Sequence, residues 1–135
     1  MGGMSRRKGA AFEREVANLI KDHLGLDAKR NLMQTAEGGH DLLGVSGWAI
    51  ECKRYASIKP ADVRKFWEQT VMQAHYVEAL PCLITKADRQ PIQVHIQWMG
   101  PGSDCFGDSI QGVATISFEL WCGIVRETLN EDEQC

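Results

Sequence analysis

Residues 47–54 read Gly-Trp-Ala-Ile-Glu-Cys-Lys-Arg, an apolar strand pattern broken by an acid and a base two positions apart. Successive side chains on a strand point to opposite faces. Trp48, Ile50 and Cys52 therefore share one face, and Ala49, Glu51 and Lys53 share the other. Ionised groups are not left on a buried strand without a partner. Ten residues earlier stands Asp41, at the start of a second short strand over 40–44. A tight turn through Val45, Ser46 and Gly47 would fold the two strands into a hairpin and bring Asp41 near Glu51.

Two carboxylates and a lysine converging at a strand hairpin suit a hard divalent cation. Mg²⁺ takes oxygen ligands, uses one or two carboxylates and leaves the remaining positions to water and substrate phosphate. Asp41 and Glu51 would supply the carboxylates, the backbone carbonyl of Cys52 another oxygen, and Mn²⁺ could substitute for Mg²⁺. Lys53 would stand beside a phosphate, offsetting charge that develops during its transfer. The other reading of the same residues is a solvated surface charge cluster.

The rest of the chain supplies a scaffold for such a site. Phe12, Val16, Leu19, Ile20 and Leu24 form one stripe of a helix over 6–24, with Ser5 as its cap and Gly25 as its stop. Glu13 lies on this helix and could reach the metal directly or through water, with Glu15 as its rival. Residues 31–39 are polar and end in glycine, hence a loop. Lys59-Pro60 opens a second helix running to about residue 76, with Val63, Phe66, Trp67, Val71 and Ala74 on its buried face. Further strands are expected over 81–86, 92–98 and 113–116, with a glycine-rich connection at 100–107. A last helix over 118–129, capped by Ser117, precedes an acidic tail. The expected fold is α/β: a single domain spanning 1–135, with a central mixed β-sheet flanked by helices and flexible ends at 1–5 and 130–135.

Composition narrows the function classes. The apolar share of 44% and charged share of 24% are those of a folded domain. No apolar run is long enough to span a bilayer, and the basic N-terminus lacks the apolar core of a signal peptide. A cytoplasmic location without membrane contact is expected. The five cysteines (Cys52, Cys82, Cys105, Cys122 and Cys135) are odd in number and form no C-x-x-C pair, which disfavours a zinc site or a disulfide framework. The four histidines have no ligand spacing either, and only His40 falls near the acids. Trp48, Trp67, Trp98 and Trp121 are expected in the core or at an interface.

Net charge is −3, yet residues 1–66 hold twelve Lys/Arg against eight Asp/Glu, and residues 67–135 hold three against ten. The basic half is the half that carries Glu13, Asp41 and Glu51. Arg6, Arg7, Lys8, Lys29, Arg30, Arg54 and Lys59 frame that site and would neutralise phosphates without reading bases. Gln34, in the 31–39 loop, could touch a backbone near the cut. Gln69 and Gln73, one turn apart on the second helix, are candidate accessory residues or simply solvated ones.

The spacing Asp-x9-Glu-x-Lys resembles the motif of the PD-(D/E)XK nuclease superfamily, the restriction-endonuclease-like fold, with His40 where the motif's proline would stand. Three stretches carry a more specific likeness. They are Arg7-Lys-Gly-Ala-Ala-Phe-Glu13-Arg-Glu-Val16, Gly38-Gly-His-Asp41-Leu and Ile50-Glu51-Cys-Lys53-Arg. Together they are similar to the Holliday-junction resolvases and their phage-encoded relatives, over about residues 6–80. The resemblance implies an α-β-β-α-β core and an active site of Glu13, Asp41, Glu51 and Lys53. It also implies Mg²⁺-dependent hydrolysis of DNA phosphodiesters, four-way or otherwise branched DNA as substrate, and a homodimer that makes two symmetric cuts. The alternatives are a less structure-selective phage-type, repair or nicking endonuclease of the same fold, and a non-catalytic DNA-binding module.

Overall fold

The computed structural model describes residues 2–33, 40–98 and 112–134, with side chains described for 9–33, 40–98 and 112–130. The elements in chain order are α1 (Gly2–Leu24), β1 (Lys29–Arg30), β2 (Leu42–Leu43), β3 (Trp48–Tyr55), α2 (Pro60–Tyr76), β4 (Leu80–Ala87), β5 (Gln93–Gln97), β6 (Val113–Ser117) and α3 (Phe118–Gln134). The six strands form one sheet in sequence order. Only β3 and β4 pair in parallel, and α2 makes the crossover between them. Every other neighbouring pair is antiparallel. The sheet is therefore mixed, with helices on both faces.

The parallel pair explains the apolar density of the central strands. A strand covered on both faces has no solvent side, so its sequence stops alternating. Trp48 through Cys52 are all buried, as are Pro81 through Thr85. One face packs Ile50, Cys52, Cys82, Ile84 and Val94 against Phe12, Val16 and Ile20 of α1 and Trp121 and Val125 of α3. The opposite face is covered by α2, whose buried residues are Trp67, Thr70 and Ala74. Thr70 tolerates burial because its hydroxyl donates to the Phe66 carbonyl at 2.8 Å.

Several boundaries differ from those read in the sequence. Helix α1 begins at Gly2, so Ser5 lies within it and does not cap it. Gly25 does end it, at φ +70° with its N–H donating to the Lys21 carbonyl at 2.8 Å. Helix α3 runs through residue 130 to Gln134, and Ser117 caps it by accepting from the Leu120 N–H at 3.1 Å. Val63, Phe66 and Val71 of α2 are only half-buried, because the helix seats itself on Trp67 and Ala74. The glycine-rich connection at 100–107 lies outside the described residues. Strand β1 has no counterpart in the sequence reading. Lys29 and Arg30 pair with Leu43 and Leu42, adding a third strand to the hairpin that carries Asp41.

That third strand depends on Gly44. Its φ is +105°, and a Cβ built there would stand 2.5 Å from the Asp27 carbonyl oxygen, inside contact distance of backbone that cannot swing away. Both the dihedral and the close approach demand glycine. Gly44→Ala is expected to lower unfolding free energy by roughly 2 kcal/mol or more, measured by urea denaturation.

Candidate active site

Asp41 sits just before β2 and is fixed by its backbone on both sides. Its N–H donates to the Ile50 carbonyl, and its own carbonyl accepts from the Asn31 N–H, each at 2.8 Å. Asn31 Nδ2 holds the preceding His40 carbonyl at 2.9 Å. The Asp41 side chain turns toward β3, where Oδ2 accepts the Cys52 N–H at 2.7 Å. Its neighbour is Glu51, whose carboxyl hydrogen-bonds to the Asp41 carboxylate. The two acids are 8% and 7% exposed, so both have left water.

Burial is the largest cause that pushes the Glu51 carboxyl up to about 8; the Asp41 charge adds to it, and Lys53 opposes it. At neutral pH the Glu51 carboxyl therefore keeps its proton. Glu13 reaches the same region from α1. Burial raises its carboxyl, the Arg30 hydrogen bond pulls it back, and the Asp41 charge raises it again, with a net upward shift. Glu15 is exposed and outside this arrangement.

A cavity of about 330 Å³ opens over Glu13 and Asp41, and its lining also includes Gly9, Cys52, Lys53 and Tyr55. A larger cavity, of about 770 Å³, lies on the α2 face of the sheet and is lined by Lys59, Arg64, Thr85, His95 and Thr115, with none of the three acids. The smaller one is the candidate site, because it joins two carboxylates, Glu13 and Asp41, to Lys53 next to the buried Glu51. His95 is engaged elsewhere: its ring nitrogens bond Thr85 and Thr115 hydroxyls at 2.9 Å, and burial lowers its pKa to about 4.

The expected three-carboxylate centre is not what the fold assembles. Among the described residues, no three Asp, Glu, His or Cys side chains group closely enough to hold a metal ion. Glu13 is taken by Arg30, whose Nε donates to Oε2 at 2.8 Å. Asp41 and Glu51 remain as the acid pair. Two adjacent buried carboxyl groups, one of them lining a cavity with Lys53, fit a hard divalent ion, which needs no third protein carboxylate.

The basic frame is also rearranged. Arg30 and Arg54, expected as free phosphate contacts, are ion-paired inside the protein, Arg30 to Glu13 and Arg54 to Asp88. Arg54 also donates to the Lys86 carbonyl at 3.4 Å, tying the end of β3 to β4. Lys59 lines the larger cavity instead, and its N–H donates to Asp62 Oδ2 at 2.8 Å to start α2. Gln69 is exposed and Gln73 half-buried, and neither lines the acid cavity. The side chains of Arg6, Arg7 and Lys8, and all of Gln34, lie outside the described residues. What the sequence reading missed is the partner of Glu13: Arg30 is 17 positions away and joined only through a two-residue strand with no periodicity.

A hairpin aspartate, an E-x-K strand beside it and a helix glutamate at the rim are the arrangement of PD-(D/E)XK nucleases. The chain belongs to the family described as phage putative PDDEXK endonuclease, whose sequence profile matches residues 4–118. Among solved structures it is similar to Hjc of Archaeoglobus fulgidus, a Holliday junction resolvase from an archaeal hyperthermophile. The two are 19% identical, with a TM-score of 0.47 over 82% of this chain and 84% of that one. No curated protein matches the chain.

The acid pair gives a stability signature. Because the folded Glu51 carboxyl is raised above its ordinary 4.5, its protonated form stabilises the metal-free fold fully below pH 4.5, and that contribution is lost as pH rises through about 8. In EDTA, urea denaturation is expected to show stability falling from pH 5 to pH 8.5. Glu51→Gln should flatten that slope and stabilise the metal-free protein at the alkaline end by roughly 1–3 kcal/mol. A slope equal in the two proteins would count against the buried acid pair.

Proposed function

We propose that the protein is a divalent-metal-dependent DNA endonuclease, with four-way or other branched DNA as its preferred substrate. One observation carries the nuclease chemistry: Asp41, hydrogen-bonded to the buried Glu51, lines a cavity together with Glu13 and Lys53. Asp41 and Glu51 would hold Mg²⁺, or Mn²⁺ in its place, with the Cys52 backbone as a further oxygen source. When bound, such an ion supplies Lewis-acid polarisation of a phosphoryl oxygen and lowers the pKa of coordinated water.

The remaining work falls to the chain's own groups. The Cys52 N–H holds Asp41 Oδ2 and so fixes the orientation of that carboxylate at the cavity. Glu51 must release its proton before it can ligate, which couples ion binding to pH. Lys53 presents an ammonium to the phosphate and offsets charge on the pentacovalent transition state. Arg30 holds Glu13 at the rim and keeps that carboxylate from swinging away. Free lysines and arginines of the basic half would track phosphates in a salt-dependent, sequence-independent way.

The preference for branched DNA is supported by the three sequence stretches around Glu13, Asp41 and Glu51. It implies a homodimer, since two symmetric cuts in a junction need two sites. The family description favours a second reading, a phage endonuclease with less demand on DNA structure.

Cleavage of a four-way junction and of a matched linear duplex, with Mg²⁺ and with EDTA, tests both. Mg²⁺-dependent cutting with the junction favoured is expected, and equal cutting of both DNAs would select the second reading. Asp41→Asn, Glu51→Gln and Lys53→Ala should each slow single-turnover cleavage about a hundredfold to a thousandfold. Unaltered cleavage in Asp41→Asn and Glu51→Gln would defeat the nuclease site, and DNA binding without any cutting would leave a binding module.

A further inference from the structure

A lysine side chain is long and flexible, so one that acts at a fixed phosphate must be held by something. Among the described residues no salt bridge holds Lys53. Its ammonium instead stands over the ring of Phe66, 5.2 Å from the centroid. That is within the range at which a cation is attracted to the negative face of an aromatic ring. The ring is itself fixed. Tyr55 stacks on it with centroids 5.4 Å apart and planes 9° apart. Tyr55 lies two residues beyond Lys53 on β3, on the same strand face, so one strand supplies both the lysine and the support for its platform.

Helix α2 brings Phe66 to this place for a reason visible in its packing. Trp67, the next residue, is 1% exposed and anchors the helix on the sheet. One step around the helix, Phe66 is half-buried against Lys53 and Tyr55, both of which line the acid cavity. An ordinary core phenylalanine would point into the seam, as Trp67 does.

We propose that Phe66 is a positioning residue for Lys53: its ring, backed by Tyr55, holds the ammonium at the wall of the cavity that Asp41 and Glu13 also line. The assignment rests on the nuclease reading above. It goes beyond that reading by naming a residue outside the motif that sets the geometry of the motif's lysine. An aromatic ring suits the task better than a carboxylate, because it restrains the cation without neutralising the charge that the phosphate needs.

The test uses the full chain with Phe66→Leu, which keeps apolar bulk, and Phe66→Tyr, which keeps the ring. In the metal-free wild type, the Lys53 ε-methylene protons should resonate upfield of an exposed lysine under the ring current. The shift should vanish in Phe66→Leu and persist in Phe66→Tyr. Single-turnover cleavage at saturating DNA should fall roughly threefold to thirtyfold in Phe66→Leu, with Kd for DNA little altered, and Phe66→Tyr should recover most of the rate. An unshifted Lys53 methylene in the wild type would overturn the assignment without needing either variant to fold, as would a Phe66→Leu protein that cuts at the wild-type rate. A cleaving protein with an unshifted Lys53 sinks the Phe66 assignment alone. A ring-shifted Lys53 in a protein that cuts no DNA sinks the nuclease reading, and with it the role given to Phe66.

Discussion

Two carboxylates forced together out of water are the constraint around which the hairpin is arranged. Asp41 and Glu51 would separate if either backbone were free to move. Neither is, since the Asp41 amide and carbonyl are bonded to strands on both sides and Glu51 lies in the parallel β3–β4 pairing. The fold holds an unfavourable contact in place by surrounding it with favourable ones. Such local cost persists only where the surrounding structure over-determines it, and sites of function are where it is usually found. The proton that Glu51 keeps relieves the repulsion in the metal-free state, and a divalent ion would relieve it by other means.

The cations are distributed to match. Arg30 compensates Glu13 and Arg54 compensates Asp88, so two of the arginines nearest the site are committed to holding the scaffold. Lys53 is left uncommitted by any salt bridge among the described residues and rests against an aromatic ring. The division follows the chemistry of the two side chains. A planar guanidinium forms directional, lasting pairs with carboxylates, whereas an ammonium is a compact charge suited to a phosphate. The sheet gives each its place: β1 carries Arg30 to Glu13, and the end of β3 carries Lys53 and Arg54 to opposite sides.

Much of this arrangement can be read in the sequence because its periods are strong. The stripe from Phe12 to Leu24 predicts α1, the alternation from Trp48 to Lys53 predicts which side chains share a face, and the spacing from Asp41 to Glu51 fits one hairpin. The parts that escaped depend on contacts distant in sequence. Lys29–Arg30 is too short to show any pattern, and it becomes a strand only because β2 offers an edge. The pairing of Arg54 with Asp88 requires the β3–α2–β4 crossover before the two can meet. Phe66 looked like a core residue, since periodicity places it on the apolar stripe, and only the seating of Trp67 turns it toward Lys53. The ends of α1 and α3 also ran past their expected limits. Neither Ser5 nor the acidic tail breaks a helix on its own.

The claim beneath all of this is that Asp41 and Glu51 bind a divalent ion when Glu51 gives up its proton. Calorimetric titration of the wild-type protein with Mg²⁺ at pH 7, in two buffers of different ionisation enthalpy, measures that proton directly. With the Glu51 carboxyl raised to about 8, close to one proton should be released for each ion bound. Binding with the same heat in both buffers, or no binding at all, would contradict the account.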